Sequence, residues 1–503
     1  MKKYLLGIDI GTSSCKIAIF NRQGEVISSG NANYEIYYPK PGYVEQNPEE
    51  WWTAIYQTIK STLLRAGINK EDIAGVGVDG QSWSAIAIDK NGDVLTNTPI
   101  WMDTRADVIC KRLNHEIGED NIFNLAGNSL QSSYTTAKII WYKENLPEVY
   151  ERIDKILQSN SFIVYRLTGI LSQDKSQGYG FHCFDMHHGV WNEDMCERLG
   201  IPRSFLPDIY DCHQIVGYVT EKAAGLSGLA VGTPVVAGGL DAACGTLGAG
   251  VVLPYETQEQ GGQAGGMSIC LDKYSADPKL ILSYHVVPNL WLLQGGTTGG
   301  GGAMRWFEKE FAGFEREEGI RVGKSSLELL NEIAEPVKPG SDGVIFLPYM
   351  AGERSPIWDV HAKGVYYGLD YSKTKGHFVR ATMEGVAFAL KHNLDVAEDA
   401  GAQVNELKAM GGSANSLLWT QIKADVTGKP IAVPASDTAT TLGAAILAGV
   451  GVGMYRDFEE AVSLTVKVRR YHEPNMDNHV VYMENYKTYL ELYSNLKDTM
   501  KER

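Results

Sequence analysis

The chain opens with Tyr4-Leu-Leu-Gly-Ile-Asp-Ile-Gly-Thr-Ser-Ser-Cys-Lys-Ile-Ala-Ile-Phe20, and this stretch decides the fold class. Residues 4–10 form an apolar run of strand length, and residues 15–20 form a second run after a turn of small residues. A third strand is predicted from Glu25, after a polar turn. Strand-length runs joined by tight turns are typical of antiparallel neighbours, so we expect a three-stranded meander.

A helix with a strong start signal follows the meander. Asn47 is a suitable cap, Pro48 suits the first helical position, and Glu50 lies three residues after the cap, as in a capping box. The apolar spacing continues to about Leu64, and residues 73–79 predict another strand. Together these elements predict one α/β unit.

The second half of the chain has a related order of elements, beginning with predicted strands over 261–271 and 280–293. Next come a helix over 372–400, a strand over 406–410, a helix over 417–426, a strand over 430–433 and a helix over 438–448. A chain of 503 residues is too long for one hydrophobic core, so the repeated order predicts two domains. We expect them at residues 1–250 and 251–503, packed across a hinge, because no charged or proline-rich linker separates them.

The composition excludes several classes of function. Lys and Arg number 46 against 61 Asp and Glu, and the net charge of −15 should repel nucleic acids and anionic membranes. The apolar runs are too short for a signal-peptide core or a membrane-spanning helix, which predicts a cytoplasmic protein. Seven scattered cysteines without a Cys-x-x-Cys pair predict reduced, structural thiols.

The first candidate site is the segment from Asp9 to Lys16. Small residues between two strands let backbone N–H groups and hydroxyls approach phosphate oxygens, and a carboxylate at the strand end can hold magnesium through water. The segment matches neither a Walker loop nor a Gly-x-Gly-x-x-Gly fingerprint. A plain hairpin turn capped by Asp9 is the alternative interpretation.

Asp241 is the second candidate, at the point where an apolar strand and a glycine pair lead into a helix of small residues. The positive end of that helix should keep the carboxylate ionised, as a general base requires. An ordinary aspartate at a helix start is the alternative.

Three glycine clusters lie where strands meet turns or helices: 261–266, 295–302 and 411–415. Such positions let a nucleotide approach the backbone, although packing alone can also require tight turns. Because all three clusters fall in one half of the chain, they favour a nucleotide site there.

The other half carries the polar and aromatic stretches Asp79-Gly-Gln81-Ser82-Trp83 and Trp101-Met-Asp103-Thr-Arg105. Their amide, carboxylate, guanidinium and indole groups can bind and stack on a sugar. The alternative is that the tryptophans belong to the core and the charges form a surface pair. The His and Cys residues of 180–188 fit no tetrahedral metal site, and a polar loop explains them better.

Two longer motifs identify a family. Gly352-Glu-Arg-Ser-Pro-Ile-Trp-Asp359 is followed by Gly364-Val-Tyr-Tyr-Gly-Leu369 and by the stretch from His377 to Ala389, while Ser133-Tyr-Thr-Thr-Ala-Lys-Ile-Ile-Trp141 stands in the first half. With Asp241 and Gly411-Gly-Ser413, these segments resemble the two signatures of the FGGY family of carbohydrate kinases over nearly the whole chain. Within the family they are most similar to those of the xylulokinases.

The resemblance implies an α/β fold of two ribonuclease-H-like domains of the actin and sugar kinase superfamily, with ATP and sugar meeting in the cleft. It implies that Asp241 is the general base and that Asp9 organises Mg²⁺. The implied nucleotide-binding residues are Asp9, Gly11, Thr12, Ser13, Gly262, Gln263, Gly300, Gly411, Gly412 and Asn415. The implied sugar-binding residues are Gln81, Ser82, Trp83, Asp103, Arg105 and Asp241.

The implied function is ATP-dependent phosphorylation of a primary hydroxyl of a small sugar, a ketopentose such as D-xylulose. Gluconate, glycerol, L-xylulose and ribulose remain alternative acceptors, a non-catalytic ATP-binding protein is the alternative from another class, and a homodimer is one candidate assembly.

The chain departs from the xylulokinase pattern in three places. Xylulokinases have Gly-Gln-Met-His where this chain has Gly80-Gln-Ser-Trp83, and Asp-Asn where it has Asp241-Ala242. They have Gly-Thr-Ser in the second phosphate turn, where this chain has Gly262-Gln-Ala264. The first two departures bear on sugar choice, and the third on phosphate binding.

Overall fold

The computed structural model describes residues 2–435 and 438–501, and over these ranges the chain forms two large mixed β-sheets. The first sheet contains, in spatial order, Ile215–Tyr218, Pro234–Val236, Ile73–Gly80, Tyr4–Ile10, Ser14–Asn21 and Val26–Asn33, with Gly239–Leu240 paired to Ile73–Gly80. The second contains Ile281–Tyr284, Trp291–Thr297, Gly265–Leu271, Glu256–Gly261, Glu406–Met410, Ile431–Pro434 and Val468–His472.

The two sheets share one topology. In each, the opening strand, Tyr4–Ile10 or Glu256–Gly261, is antiparallel to the strand that follows it and parallel to a strand reached through a long connection. The order that the sequence repeats is therefore repeated in space. The prediction of two α/β domains of the ribonuclease-H-like type is confirmed.

Helices cover these sheets and fill the connections. Their bounds are Pro48–Ala66, Asp107–Leu113, Glu119–Ala126, Thr135–Asn145, Pro147–Tyr150, Ser159–Thr168, Glu193–Leu199, Glu221–Ser227, Asp241–Gly248, Gly301–Phe311, Gly313–Val322, Ser326–Ala334, Lys375–Asp399, Leu417–Thr427, Ala439–Gly451, Phe458–Thr465 and Met476–Lys501. Shorter strands are Glu45–Gln46, Ile86–Ile88, Thr98–Pro99, Lys155–Leu157, Ser172–Asp174, Phe184–Asp185, Val190–Trp191, Asp208–Tyr210, Ile345–Leu347 and Val365–Tyr367. None of the helices in the described ranges is both long and apolar enough to cross a membrane.

The opening meander and its helix follow the sequence prediction closely. The helix Pro48–Ala66 starts behind Asn47, whose side chain accepts a hydrogen bond from the backbone N–H of Glu49. The predicted capping box does not form, because the Glu50 carboxylate instead accepts a hydrogen bond of 2.7 Å from the Tyr37 hydroxyl. Glu50 therefore binds Tyr37, in the segment before the helix, and does not cap the helix.

The predicted strand over 280–293 is wrong as one element. The structure has two antiparallel strands here, Ile281–Tyr284 and Trp291–Thr297. The chain turns between them at Asn289, which has a φ of 62°, a conformation that asparagine tolerates better than most residues. The prediction for 261–271 also merges two strands, since Gly261 ends one and Gly265 begins the next.

Two helices cross between the sheets and bring the halves into contact. Asp241–Gly248 packs against Ala439–Gly451 so closely that a Cβ atom on Gly443 would lie 1.9 Å from the carbonyl oxygen of Cys244. The second helix also lies against the first sheet, where a Cβ on Gly77 would be 1.8 Å from the Ala444 carbonyl oxygen. The large hydrophobic core that results contains residues of both halves.

Candidate active site

A cavity of about 340 Å³ lies between the halves, where the opening strands of the two sheets end; we call it the central cavity. Five residues singled out from the sequence line it: Asp9, Gly11, Asp241, Gly262 and Gly411. They come from both sheets and from the helix between them. The fold thus brings the predicted base together with parts of three predicted turns, 9–16, 261–266 and 411–415, whereas the glycine cluster 295–302 contributes no residue to this cavity.

Three carboxylates lie near one another: Asp9 and Asp241 line the central cavity, and Asp79 is buried beside them. Asp9 ends the opening strand of the first sheet, and Asp79 is its register partner on the adjacent parallel strand. Burial is the main cause that raises the pKa of Asp9, opposed by Lys16, whose ammonium lies 3.6 Å from the Asp9 carboxylate. Burial and then the neighbouring charges of Asp9 and Asp241 raise the pKa of Asp79 well above its usual range.

Asp79 is fully buried, and among the described residues only the neighbouring carboxyl group of Asp9 can share a hydrogen bond with its carboxylate. Two adjacent buried carboxylates are oxygen donors of the kind that Mg²⁺ prefers, and Mg²⁺ usually takes only one or two of them together with phosphate oxygens and water. The residues present therefore fit the metal that the family resemblance implies.

Asp241 is the first residue of its helix and is partly exposed to the central cavity. The expectation that the helix N-terminus keeps its pKa low is not met. Burial, followed by the Asp9 carboxylate, raises the pKa of Asp241 to about 7, although the backbone N–H of Ala242 opposes the rise. Desolvation outweighs the helix because that helix has only eight residues and offers this carboxylate a single hydrogen bond.

The turn after Asp9 is held by polar side chains from three directions. The Tyr34 hydroxyl donates to the carbonyl of Gly11. The carbonyl and the hydroxyl of Thr12 accept hydrogen bonds from Gln46 Nε2 (2.8 Å) and Trp101 Nε1 (2.9 Å). Ser13 is exposed beside them. The hydroxyl hydrogens of Thr12 and Ser13 thus remain able to donate to a phosphate.

The second turn is built differently from the first. Gly262 lines the central cavity and Gln263 is exposed, but their carbonyls accept hydrogen bonds from the N–H groups of Gly301 (2.7 Å) and Gly302 (2.9 Å). The first N–H groups of helix Gly301–Phe311 are therefore used to hold the turn. Gly300 packs against the same turn and lines neither cavity described here.

A second cavity of about 460 Å³ adjoins the first at Gly262, and we call it the side cavity. Gly412 and Asn415 line it, together with the apolar side chains Met304, Met383 and Trp419. Apolar walls with a few polar groups suit a purine base.

Gly411 lies between the two cavities and cannot be replaced freely. Its φ is 87°, and a Cβ there would lie 2.8 Å from the Gly261 carbonyl oxygen. A buried ion pair stabilises this turn. Lys423 Nζ lies 2.6 Å from the Glu259 carboxylate and also donates a hydrogen bond of 2.7 Å to Ser413 Oγ, two residues after Gly411.

Among the predicted sugar-binding residues of the first half, whose surroundings we call the sugar side, Gln81 and Trp83 are buried. Gln81 Nε2 donates to Gln46 Oε1 at 2.8 Å, which links this loop to the turn at Thr12, and the Ser82 hydroxyl accepts from Tyr179 at 3.0 Å. Trp83 has a φ of 62° and stacks on Tyr134 with ring centroids 4.1 Å apart. Its indole N–H has no partner among the described residues.

Asp103 and Arg105 bind each other rather than facing a cavity. Arg105 donates to both Asp103 oxygens at 2.8–2.9 Å and forms an ion pair with Glu45 at 2.7 Å. The guanidinium also lies 4.1 Å from the ring centre of Tyr43 and 4.7 Å from that of Trp141. Its charge is therefore neutralised and enclosed.

Sequence reasoning did not single out Asp79, Trp101 or Tyr134 as site residues, although all three stand within quoted motifs. Asp79 would have been found by aligning the predicted strands 4–10 and 73–79, which the structure pairs in parallel, because each carries an aspartate near its end. The indole hydrogen bond of Trp101 to Thr12 and the stacking of Tyr134 on Trp83 had no signal beyond residue type.

Family models match both halves of the chain. The model described as "FGGY family of carbohydrate kinases, N-terminal domain" matches residues 4–248, and the model of the C-terminal domain matches residues 272–452.

Individual relatives extend this similarity over the full length. A xylulose kinase of Staphylococcus epidermidis is 31% identical over 499 residues, which are 99% of this chain and 98% of the relative. A gluconokinase of Bacillus licheniformis is 29% identical over 498 residues, 99% of this chain and 96% of the relative. The crystal structure of xylulose kinase from Rhodospirillum rubrum superposes with a TM-score of 0.90 at 28% identity, covering 99% of this chain and 100% of that one.

Proposed function

The chain belongs to the FGGY family of carbohydrate kinases and is an ATP-dependent sugar kinase, and on that premise we propose that it phosphorylates a primary hydroxyl of a neutral ketose, with Asp241 as general base. D-xylulose is the first candidate, since a relative named xylulose kinase is 31% identical over nearly the whole chain.

The position of Asp241 carries this proposal. Its carboxylate lines the central cavity that also contains Asp9, Gly262 and Gly411, so a hydroxyl held there would lie between the base and the predicted phosphate turns. A general base works best when its pKa lies near the working pH, and the pKa of Asp241 is about 7. Burial thus makes this carboxylate a better proton acceptor than an exposed aspartate.

In the reaction, the sugar hydroxyl oxygen attacks the γ-phosphorus of ATP while its proton passes to an Asp241 oxygen. The new bond joins the sugar oxygen to the γ-phosphorus. The bond between the γ-phosphorus and the β,γ-bridging oxygen breaks, and ADP leaves with that electron pair. Because such transition states are loose, in-line positioning and neutralisation of charge supply most of the catalysis. Enclosure between the two halves excludes water that would otherwise hydrolyse ATP.

The nucleotide would span both cavities. We place adenosine in the side cavity beside Asn415 and Gly412, and the phosphates over Thr12, Ser13 and the turn at Gly262. Asp9, with Asp79 behind it, would hold Mg²⁺, which supplies charge neutralisation on the phosphate oxygens. The exposed amide of Gln263 replaces the hydroxyl that xylulokinases offer, so that turn would bind phosphate through its backbone and this amide.

A neutral acceptor is favoured over an aldonate such as gluconate. An aldonate carboxylate needs a cation, and the cation that the motifs place beside the sugar, Arg105, is already paired with Asp103 and Glu45. Freeing it would leave two carboxylates without their partner, which is costly in a buried site. The neighbouring Trp83 and Tyr134, which stack on each other, carry no charge that could pair with a carboxylate.

The test is ADP release at fixed Mg–ATP with D-xylulose, L-xylulose, D-ribulose, glycerol and D-gluconate. We expect the highest kcat/KM with a ketopentose and no sugar-dependent turnover in Asp241→Asn above about 1% of wild type. A preference for D-gluconate would contradict the neutral acceptor, and full turnover in the variant would contradict the assigned base.

Two further expectations concern location and assembly. We propose a cytoplasmic location, with which seven free, buried cysteines are consistent because thiols stay reduced there. We also propose a homodimer, which light scattering coupled to gel filtration tests directly.

A further inference from the structure

The ammonium group of Lys138 lies inside the first half of the chain, on helix Thr135–Asn145, and is fully buried. It donates three hydrogen bonds, to the carbonyl oxygens of Trp83 (2.8 Å), Ile100 (2.7 Å) and Ser133 (2.6 Å). An ammonium has three donors, so all of them are used. The three acceptors belong to segments that are far apart in the sequence.

Each of these carbonyls belongs to, or directly precedes, an aromatic residue of the sugar side. Trp83 is itself one. Ile100 precedes Trp101, whose indole donates to the Thr12 hydroxyl, and Ser133 precedes Tyr134, which stacks on Trp83. One side chain thus fixes the backbone of the three segments that set the positions of these rings.

The arrangement is costly for stability, which argues for a role beyond packing. Burying a charge carries a desolvation penalty that hydrogen bonds to carbonyls only partly offset. Burial lowers the pKa of Lys138 to about 7, and the Asp103 carboxylate opposes this effect. No carboxylate of the described residues lies within ion-pair distance of the ammonium. An apolar residue of the same length would avoid this cost but could not hold three carbonyls.

We propose that Lys138 is a positioning residue that fixes the geometry of the sugar pocket through the backbone of Trp83, Trp101 and Tyr134. The inference rests on the proposed function and deepens it. It assigns sugar affinity and the alignment of the acceptor hydroxyl to this buried lysine, and its effect on the nucleotide passes through a single hydrogen bond, from Trp101 to Thr12.

The experiment compares Lys138→Met and Lys138→Gln with Tyr142→Phe as a matched control. Tyr142 stands one turn further along the same helix, is also buried, and donates to a single carbonyl, that of Ala85. Binding of D-xylulose and of Mg–AMP-PNP is measured separately by calorimetry, and kcat and both KM values are measured by ADP release. If another sugar of the panel is turned over faster than D-xylulose, that sugar is the probe.

We expect both Lys138 variants to bind the sugar about 10- to 100-fold more weakly, since displacements of about 1 Å in a site can cost that much. The affinity for Mg–AMP-PNP should fall much less, by about fivefold at most, because only the hydrogen bond from Trp101 to Thr12 links the lysine to the phosphates. Tyr142→Phe should change neither affinity by more than about twofold. The near-ultraviolet circular dichroism spectrum, to which Trp83 and Tyr134 contribute, should change more in the Lys138 variants than in Tyr142→Phe.

Unchanged sugar affinity in a folded Lys138 variant would overturn the proposal, and so would equal losses of sugar and nucleotide affinity, which a purely structural role predicts. If Lys138→Met does not fold, Lys138→Gln decides, because its amide can still donate to two of the three carbonyls. If the wild type phosphorylates no sugar of the panel, the proposed function fails and the inference falls with it. Wild-type turnover with unaltered variants contradicts the inference alone.

Discussion

Replacing Asp241 by Asn should abolish the reaction and at the same time stabilise the protein. The pKa of this carboxyl is raised from 3.8 to about 7, mainly by burial and then by Asp9. That difference corresponds to about 4 kcal/mol by which the ionised form opposes folding. Asparagine has nearly the same shape and no charge, so it removes this cost.

The pH dependence of this stabilisation follows from the linkage between proton binding and folding. A carboxyl whose pKa is higher in the folded than in the unfolded state contributes stability that is present below the unfolded pKa and lost as pH rises through the folded pKa. The gain from Asp241→Asn should therefore be near zero at pH 4, grow between pH 4 and 7, and reach about 4 kcal/mol at pH 8. For domains of about 250 residues, each kcal/mol shifts Tm by about 2–4 °C, so the rise in Tm at pH 8 should be about 8–16 °C.

The assay is thermal unfolding of wild type and variant at pH 5 and pH 8, without nucleotide or metal, alongside ADP release. Asp208→Asn, at an exposed position on a strand outside the cleft, is the control and should shift Tm little at either pH. A variant that is equally stable to wild type at pH 8, or that gains the same amount at both pH values, would refute the reasoning. It would mean that Asp241 is ionised without cost and is no better a base than an exposed aspartate.

Three further predictions concern other parts of the site. Asp9→Asn should raise the KM for Mg–ATP by about 10-fold or more while sugar binding without nucleotide stays unchanged, and equal losses would indicate a folding defect instead. Gly411→Ala should raise the KM for ATP, because the new Cβ would collide with the backbone at a φ of 87° and strain this turn by about 1–3 kcal/mol. Gly225→Ala places its Cβ in open space and should leave the KM unchanged, and steady-state kinetics compares the two variants. Trp83→His combined with Ala242→Asn should shift kcat/KM toward D-xylulose relative to the other sugars of the panel, and an unchanged order of substrates would show that these departures do not set the preference.

Much of the fold could be predicted because many of its strands and helices follow from the apolar and turn-forming residues of a short stretch of sequence. The run Tyr4–Ile10 is buried along nearly all of its length, so its composition alone marks it as a strand. The break within 280–293 could not be seen because only Pro288 and Asn289 interrupt the apolar residues on either side of it. A proline followed by an asparagine with positive φ is a turn signal that the apolar residues around it concealed.

The site was predictable where its residues follow one another in the chain and was missed where they meet across strands. Asp9 and Thr12 belong to one strand and its turn, and motif reasoning finds such residues. Asp79 acquires its environment only when its strand pairs with that of Asp9, and Glu259 only when the helix bearing Lys423 packs over the second sheet. Neither environment exists in the sequence until register and packing are known.

The electrostatics of the site show the same limit. A helix start predicts a lowered pKa for Asp241, but the opposite shift results from how much protein surrounds it and from the second carboxylate beside it. Likewise, the sequence indicates that Arg105 is a cation available to a sugar, but the structure pairs it with Glu45 and Asp103. Both corrections come from burial, which depends on the whole fold.

The helix Ala439–Gly451 has a consequence for how the chain is made. It covers the first sheet, where Cβ atoms on Gly7 and Gly77 would lie 2.0 Å and 1.8 Å from the carbonyl oxygens of Thr441 and Ala444. Ribosomes make the covering helix more than four hundred residues after the opening strands, which until then lack this cover on one apolar face. At about 5–20 residues per second this interval lasts some tens of seconds, during which the nascent chain depends on its partly folded neighbours or on chaperones to shield that face. The second half of the chain therefore completes the packing of the sheet that the first half begins.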